Sequence, residues 1–314
     1  EIGAAMANGD RAAAKQVIDK LDAHYQTFIS NLLVTEEAQT KCRAIIAEHF
    51  EFLNIILKIS FNEALNKDIL AQGELMSTKM FSCYLEEKGI NHMLLPALDF
   101  MRLDQNEEPD LPLIQEKLNT VLANHPTKKI FVTQGYICRN AKGEVDNLKR
   151  GGSDYSASLI GAAADATEIQ IWTDIDGMHN NDPRVVKNTY PIAELSFDEA
   201  AELAYFGAKI LHPSSVQPAK QKNIPVRLLN TMQPEAKGTI IQSETSGGPS
   251  IKAVAAKDDI VAIKIKSGRM LLAYGFLRSV FEVFERYKTP IDMITTSEVA
   301  VSITIDNNKF LNEI

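Results

Sequence analysis

The chain has 314 residues, 45% of them hydrophobic and 24% charged, with a net charge of −8. That is enough for two domains with ordinary soluble cores. The acidity and the lack of a basic tract exclude a nucleic-acid surface. No apolar run is long enough for a membrane helix, so no membrane partner is expected and a cytoplasmic protein is the default. Cys42, Cys83 and Cys138 are far apart, show no metal-ligand spacing, and read as thiols of a reducing compartment. Glu1 falls directly into a helical pattern, which predicts that the true N-terminus lies upstream.

Val17, Leu21, Tyr25, Phe28 and Leu32 recur at helical spacing and predict an amphipathic helix. Residues 36–57 predict a second, with Cys42, Ile45, Phe52, Leu53 and Ile56 on its apolar side. Gln72-Gly73-Glu74-Leu75-Met76-Ser77 is expected to open a third helix that ends at Gly89. Glu74 then stands at a helix start, and two readings remain open: a complement to the dipole, or a carboxylate aimed at a substrate ammonium. Residues 92–98 read as a short strand broken by Pro96, 111–122 as a helix and 130–138 as a β-rich run. Asn140-Ala141-Lys142-Gly143 supplies the turn of a hairpin.

The hairpin leads into Leu148-Lys149-Arg150-Gly151-Gly152-Ser153-Asp154-Tyr155, ahead of a small-residue helix predicted over 156–166. Two glycines at a helix entry let backbone N–H groups approach an anion closely. Arg150 adds a bidentate fork for a carboxylate or phosphate. Asp154 places a negative charge in the first turn, where it can orient a lysine or a substrate ammonium. The competing reading is a capped turn with Ser153 or Asp154 as N-cap.

Residues 168–175 read as a strand ending in Thr173-Asp174. Asp176 to Arg184 form a long polar loop, in which His179 reads as a loop residue with no evident partner. Ser196-Phe197-Asp198-Glu199 is a capping box before a helix over 199–206. Phe206-Gly207-Ala208-Lys209 ends that helix and starts another; Lys209 can meet a phosphate as a point charge or complement the helix dipole. A strand is predicted over 224–229. Strands alternating with helices imply an α/β fold, a mostly parallel sheet sandwiched by helices, with ligands at the carboxyl ends of the strands. The turn-rich stretch 243–250 divides the chain into a first domain, 1–243, and a second, 250–314. The second reads strand 260–265, helix 274–287, strand 291–295 and strand 299–305, most of a ferredoxin-like α+β unit.

Taken together, Gln72-Gly73-Glu74-Leu75-Met76-Ser77, Gly135-Tyr136, Arg150-Gly151-Gly152-Ser153-Asp154, Trp172-Thr173-Asp174, Asp182-Pro183-Arg184, Phe206-Gly207-Ala208-Lys209 through His212-Pro213, and Ile294-Thr295-Thr296-Ser297-Glu298 closely resemble the aspartokinases. The resemblance covers nearly the whole chain. It implies an amino-acid-kinase domain followed by an incomplete ACT regulatory domain, and transfer of the ATP γ-phosphate to the side-chain carboxylate of L-aspartate. It further implies that Glu74 takes the substrate ammonium, that Arg150 takes the α-carboxylate, and that Gly151, Gly152 and Ser153 approach the reacting groups. Asp154 orients cations there, and Lys209 meets the phosphates. Thr173, Asp174, His179 and Arg184 line the nucleotide pocket, and Mg2+ travels with the phosphates without a protein metal motif.

Two departures stand out. The family's opening strand with Lys-Phe-Gly-Gly-Thr-Ser has no counterpart here, nor does a second ACT domain, so the sequence reads as part of a longer enzyme and is expected to be catalytically impaired as it stands. His179 replaces a tyrosine common in the family. Other expectations are lysine as an effector, held by Met270, Gly275, Phe276, Leu277, Asp292, Ser297 and Glu298, and a homodimer or higher homo-oligomer formed through the ACT domains. The rival readings are another kinase of the same fold, the kinase portion of a bifunctional aspartokinase–homoserine dehydrogenase, and a non-catalytic amino-acid sensor.

Overall fold

The computed structural model describes residues 1–149, 151–206, 213–247, 249, 251–268 and 274–314. Arg150, Lys209, Met270 and the predicted helix start after Lys209 lie outside the described residues. The chain forms two compact units, Glu1–Val254 and Ala255–Ile314.

The first unit opens with helices α1 (Ile2–Ala7), α2 (Arg11–Leu32), α3 (Glu36–Ile56) and α4 (Glu63–Glu87). Asp10, Thr35 and Asn62 cap α2, α3 and α4, each accepting a backbone N–H from the first turn. Their shared core contains Ile18, Ile29, Ile46, Phe50, Leu53, Met76 and Met80. Phe52, predicted to face this core, is exposed, and Phe50 takes the inward position. The third helix begins ten residues before the predicted glycine: Asn62 supplies its cap, and residues 63–71 are good helix formers. Gly73 sits inside it with open space around its Cα. Glu74 is therefore a mid-helix residue, and the dipole reading of it fails.

Next come β1 (His92–Leu95), the one-turn helix α5 (Ala97–Phe100) started by Pro96, α6 (Leu111–Ala123) and β2 (Ile130–Thr133). β1 and β2 pair in parallel. β3 (Ile137–Arg139) and β4 (Val145–Asn147) form the predicted hairpin, with Asn140 Oδ1 accepting from the N–H groups of Lys142 and Glu144. α7 (Gly152–Ala163) follows, then β5 (Ile169–Thr173). β6 (Glu194–Ser196) precedes α8 (Phe197–Phe206), α9 (Gln217–Lys222), β7 (Val226–Asn230) and β8 (Thr239–Gln242). The capping box forms in both directions: Ser196 N–H donates to Glu199, and Glu199 N–H donates to Ser196 Oγ. The four-stranded sheet runs β5-β7-β8-β6, parallel except between β7 and β8. β6 and β8 are too short to show a period in the sequence. Gly161 lets α7 lie directly on Ile169 of β5.

The predicted linker 243–250 is followed by residues that still belong to the first unit. Ser246 donates twice to Glu194, Lys252 pairs with Glu199 and Val254 N–H donates to Asn180 O. The division accordingly falls after Val254.

The second unit contains β9 (Val261–Lys266), α10 (Phe276–Arg286), β10 (Met293–Thr296) and β11 (Ala300–Ile305). β11 lies between β10 and β9 and is antiparallel to both. Phe284, Val301, Ile303 and Ile305 form its core. Among the described residues no helix is long and apolar enough to cross a membrane.

Candidate active site

β2 ends at Thr133, and the chain turns at Gln134-Gly135-Tyr136 before entering β3. Tyr136 adopts a left-handed backbone, φ 67°, unusual for a residue with a side chain. Three hydrogen bonds hold it there or fix its neighbours: Tyr136 N–H to Ser156 Oγ (2.9 Å), Ser156 Oγ–H to Gly152 O (2.8 Å) and Leu148 N–H to Tyr136 O (2.8 Å). A Cβ at Gly135 would lie 3.1 Å from Ser153 Cα, and one at Gly152 would lie 2.8 Å from Tyr136 Cδ2. The glycines are thus required by close approach between the turn and the start of α7. Gly151 is the N-cap, φ 70°, and no side chain caps the helix. The predicted Ser153 or Asp154 cap is corrected: both lie inside the first turn. An uncapped helix N-terminus favours an anion.

Glu74 lies within α4 and is half-buried. Burial pushes its carboxyl up from the ordinary carboxylate range. Burial, then Asp146, Cys138 and Glu74, raise the Tyr136 phenol. Burial and Glu74 raise the Tyr25 phenol. Glu74 therefore acts electrostatically on both tyrosines, and Tyr136 also lies against Gly152. Asp154, on the first turn of α7, is also pushed up by burial. Two half-buried carboxylates with raised pKa values gain free energy when a cation arrives. Lys67 and Asp146 pair at 2.7 Å and fasten the hairpin to α4.

Thr173 and Asp174 end β5, where Thr173 Oγ1–H reaches Asp174 Oδ1 at 3.2 Å and Thr173 O accepts from Thr231 N–H. The following loop is pinned at Gly177, φ 128°, whose Cα lies against Thr239. Met178 N–H donates to Thr239 Oγ1, which donates to Ile192 O. His179 has two partners, a correction to its sequence reading: Nε2 meets Asp176 Oδ1 at 2.7 Å and Nδ1 meets Thr189 Oγ1 at 2.8 Å. Thr189 is too distant in sequence to be paired with it by pattern. Arg184 forks onto Asp182 through Nε and Nη2, so a phosphate would have to compete with that carboxylate. Ser215, in the short turn Pro213–Val216, has its Oγ 3.4 Å from Gly151 O. The turn Pro213–Val216 thus lies beside Gly151.

Gly151, Gly152, Ser153 and Asp154 stand together at the entry of α7, and Glu74 is linked to them through its effect on Tyr136; Thr173, Asp174, His179 and Arg184 form a second group along the end of β5 and its loop. Tyr136, Tyr25, Ser156 and Gln134 carry no role in the sequence reading. For Tyr136 the glycine before it was the available signal; burial of the other three comes from distant packing.

In the second unit, Gly275 caps α10 in a left-handed conformation, φ 84°, with Phe276 and Leu277 in the first turn. Asp292 precedes β10 and lies 3.7 Å from Lys257, which also pairs with Asp306 at 2.6 Å. Ser297 N–H donates to Ala300 O in the turn at the far end of β10, beside Glu298. Six residues of extended chain span roughly 20 Å. Asp292 and Glu298 therefore occupy opposite ends of β10, and these two expected lysine contacts are not brought together. Asp292 is buried against a lysine, not an exposed strand-end charge.

A glycine-rich, uncapped helix entry, a half-buried carboxylate on α4 and a polar strand-end loop are the features the first unit offers. The amino acid kinase family matches residues 3–230, and the chain belongs to it. Its relatives within that family are aspartokinases. It is 36% identical over 264 residues to lysine-sensitive aspartokinase 3 of Escherichia coli, covering 83% of this chain and 59% of that protein. The structure of E. coli aspartokinase III in complex with aspartate and ADP (R-state) superposes with a TM-score of 0.77 at 32% identity, covering 95% of this chain and 67% of that one. The same enzyme in complex with lysine and aspartate (T-state) gives 0.74 at 31% identity, with 94% and 67% covered. The chain spans about half to three fifths of the length of the curated relatives it matches.

Proposed function

We propose that the protein is an aspartate kinase, which transfers the ATP γ-phosphate to the side-chain carboxylate of L-aspartate and gives 4-phospho-L-aspartate, the first step towards lysine, threonine and methionine. The observation that carries this reading is the half-buried Glu74 carboxylate, which shares Tyr136 with the glycine-rich entry of α7. An α-ammonium would neutralise Glu74, and Arg150 would take the α-carboxylate. The uncapped N–H groups of α7 then face the anionic side of the reaction. Support also comes from the relatives, one of them bound to aspartate and ADP.

The attacking group is already a carboxylate, so no general base is required. One of its oxygens forms the new bond to the γ-phosphorus as the bond to the β-phosphate oxygen breaks and ADP leaves. The protein's part is positioning and charge neutralisation. Lys209 neutralises charge on the phosphates, and Asp154 orients the cations around them. Thr173, Asp174, His179 and Arg184 line the nucleotide side. Among the described residues no three His, Cys, Asp or Glu side chains gather as a metal cage. When bound, Mg2+ would be carried by phosphate oxygens and water and would screen the phosphate charge. The second unit reads as an ACT-like effector domain that also pairs subunits, with lysine the effector. Three buried free thiols fit a reducing, cytoplasmic setting.

The test is ADP release by the full-length protein with ATP and either L-aspartate or L-glutamate. Release with aspartate alone is expected; equal use of glutamate would overturn the substrate assignment.

A further inference from the structure

We propose that Gln134 is a positioning residue for the ammonium subsite: its side chain braces the turn of α4 that carries Glu74 against the Gly135-Tyr136 turn. The proposal rests on Glu74 taking the substrate ammonium.

Gln134 is 1% exposed. Its Oε1 accepts from Ala97 N–H at 2.8 Å and its Nε2 donates to Thr78 Oγ1 at 2.7 Å. Thr78 Oγ1 in turn donates to Glu74 O at 2.8 Å, and lies 3.3 Å from Leu75 O. The direction of this line is fixed by chemistry. A backbone N–H can only donate, so the amide oxygen faces Ala97 and the amino group faces Thr78. The single hydroxyl proton of Thr78 is then directed to the backbone of α4.

Three elements meet at this side chain: the start of α5 through Ala97, the end of β2, and α4. Gln134 is bonded directly to Gly135, which backs onto Ser153, and Tyr136 backs onto Gly152. The brace therefore sets the spacing between Glu74 and the start of α7. A shift of one turn by even 1 Å would spoil a charge-assisted contact to a small amino acid.

Steady-state kinetics of the full-length protein test this, with aspartate and ATP varied separately. Gln134→Leu is expected to raise the aspartate KM about tenfold and to leave the ATP KM within about twofold. Thr78→Val should give the same split, since it removes both the acceptor for Gln134 and the donor to Glu74. It keeps the size of the side chain, so it serves if Gln134→Leu does not fold. Thr78→Ser, which keeps the hydroxyl, should restore the wild-type KM. The double variant should add little to either single one, because both cut one line. A role in stability alone predicts less folded enzyme with both KM values unchanged; that result, or a joint rise of both KM values, overturns the brace. Glu74→Gln is the reference. If it raises the aspartate KM while Gln134→Leu and Thr78→Val do not, the brace fails and the Glu74 reading survives. If Glu74→Gln leaves the aspartate KM alone, both fail together.

Discussion

The ring of Tyr136 fills the space that a side chain at Gly152 would need, with Cδ2 2.8 Å from the position of a Cβ there. Leu148 Cβ, at 3.2 Å, closes the other side. Gly152→Ala is therefore expected to push Tyr136 out of its left-handed position and to cost about 1–3 kcal/mol of stability by overpacking. Chemical denaturation together with aspartate kinetics checks this. A variant with wild-type stability and wild-type aspartate KM would show that the contact yields freely.

Burial raises the carboxyl of Glu74, so the folded chain holds that proton more tightly than the unfolded chain. The resulting contribution to stability is fully present below the unfolded value, near 4.5, and is lost as pH rises through the folded value. At neutral pH an ionised Glu74 is thus a burden on the apo fold. Glu74→Gln should raise the denaturation midpoint at about pH 7 and lose that advantage near pH 4. Aspartate affinity should fall in the same variant. Equal stability of the two proteins across this range would rule out a buried, uncompensated carboxylate.

Arg150 and Lys209 lie outside the described residues, and their expected roles come from the sequence. Arg150→Ala should lower kcat/KM for aspartate by about 2–4 kcal/mol, with ATP affinity little changed. Lys209→Met should depress kcat at saturating ATP more than it alters aspartate binding. Kinetics with the two substrates varied in turn separate these outcomes; an exchange of the two phenotypes would reverse the assignment.

Inhibition by lysine is expected in the full-length enzyme. Asp292 is already engaged by Lys257, so Asp292→Ala should both relieve inhibition and loosen the second unit, through loss of a buried charge partner. Glu298 is exposed, and Glu298→Lys should relieve inhibition without loosening it. Inhibition curves and thermal melts on both variants distinguish the effects. Lysine sensitivity that survives both changes would remove both ends of β10 as effector contacts.

Local chemistry was legible where both partners lie within one turn of chain. The capping box at Ser196 and Glu199 and the hairpin turn at Asn140 to Gly143 formed as read, because each is a short-range exchange of hydrogen bonds. Long-range chemistry was not. Gly73 read as a helix boundary because glycine usually is one, but the N-cap eleven residues earlier decides the matter. Phe50 and Phe52 look alike in a periodic pattern, and only the neighbouring helices select which is buried. Thr189, the second partner of His179, and the partners of Asp292 and Gln134 lie ten or more residues away, so neither the salt bridge of Asp292 nor the brace of Gln134 leaves a pattern in the sequence.

α4 is a party wall. Met76, Met80 and Cys83 on one side belong to the core of the long helices, and Ala71 and Leu75 on the other belong to the core beneath α7 and the hairpin. Glu74 rides on this shared partition, so a change of side-chain volume deep among α2 and α3 reaches it as a tilt of the wall and not as the loss of a contact. Substrate preference can therefore drift through substitutions that touch neither substrate nor nucleotide, and the helical layer serves as a remote adjuster of the site.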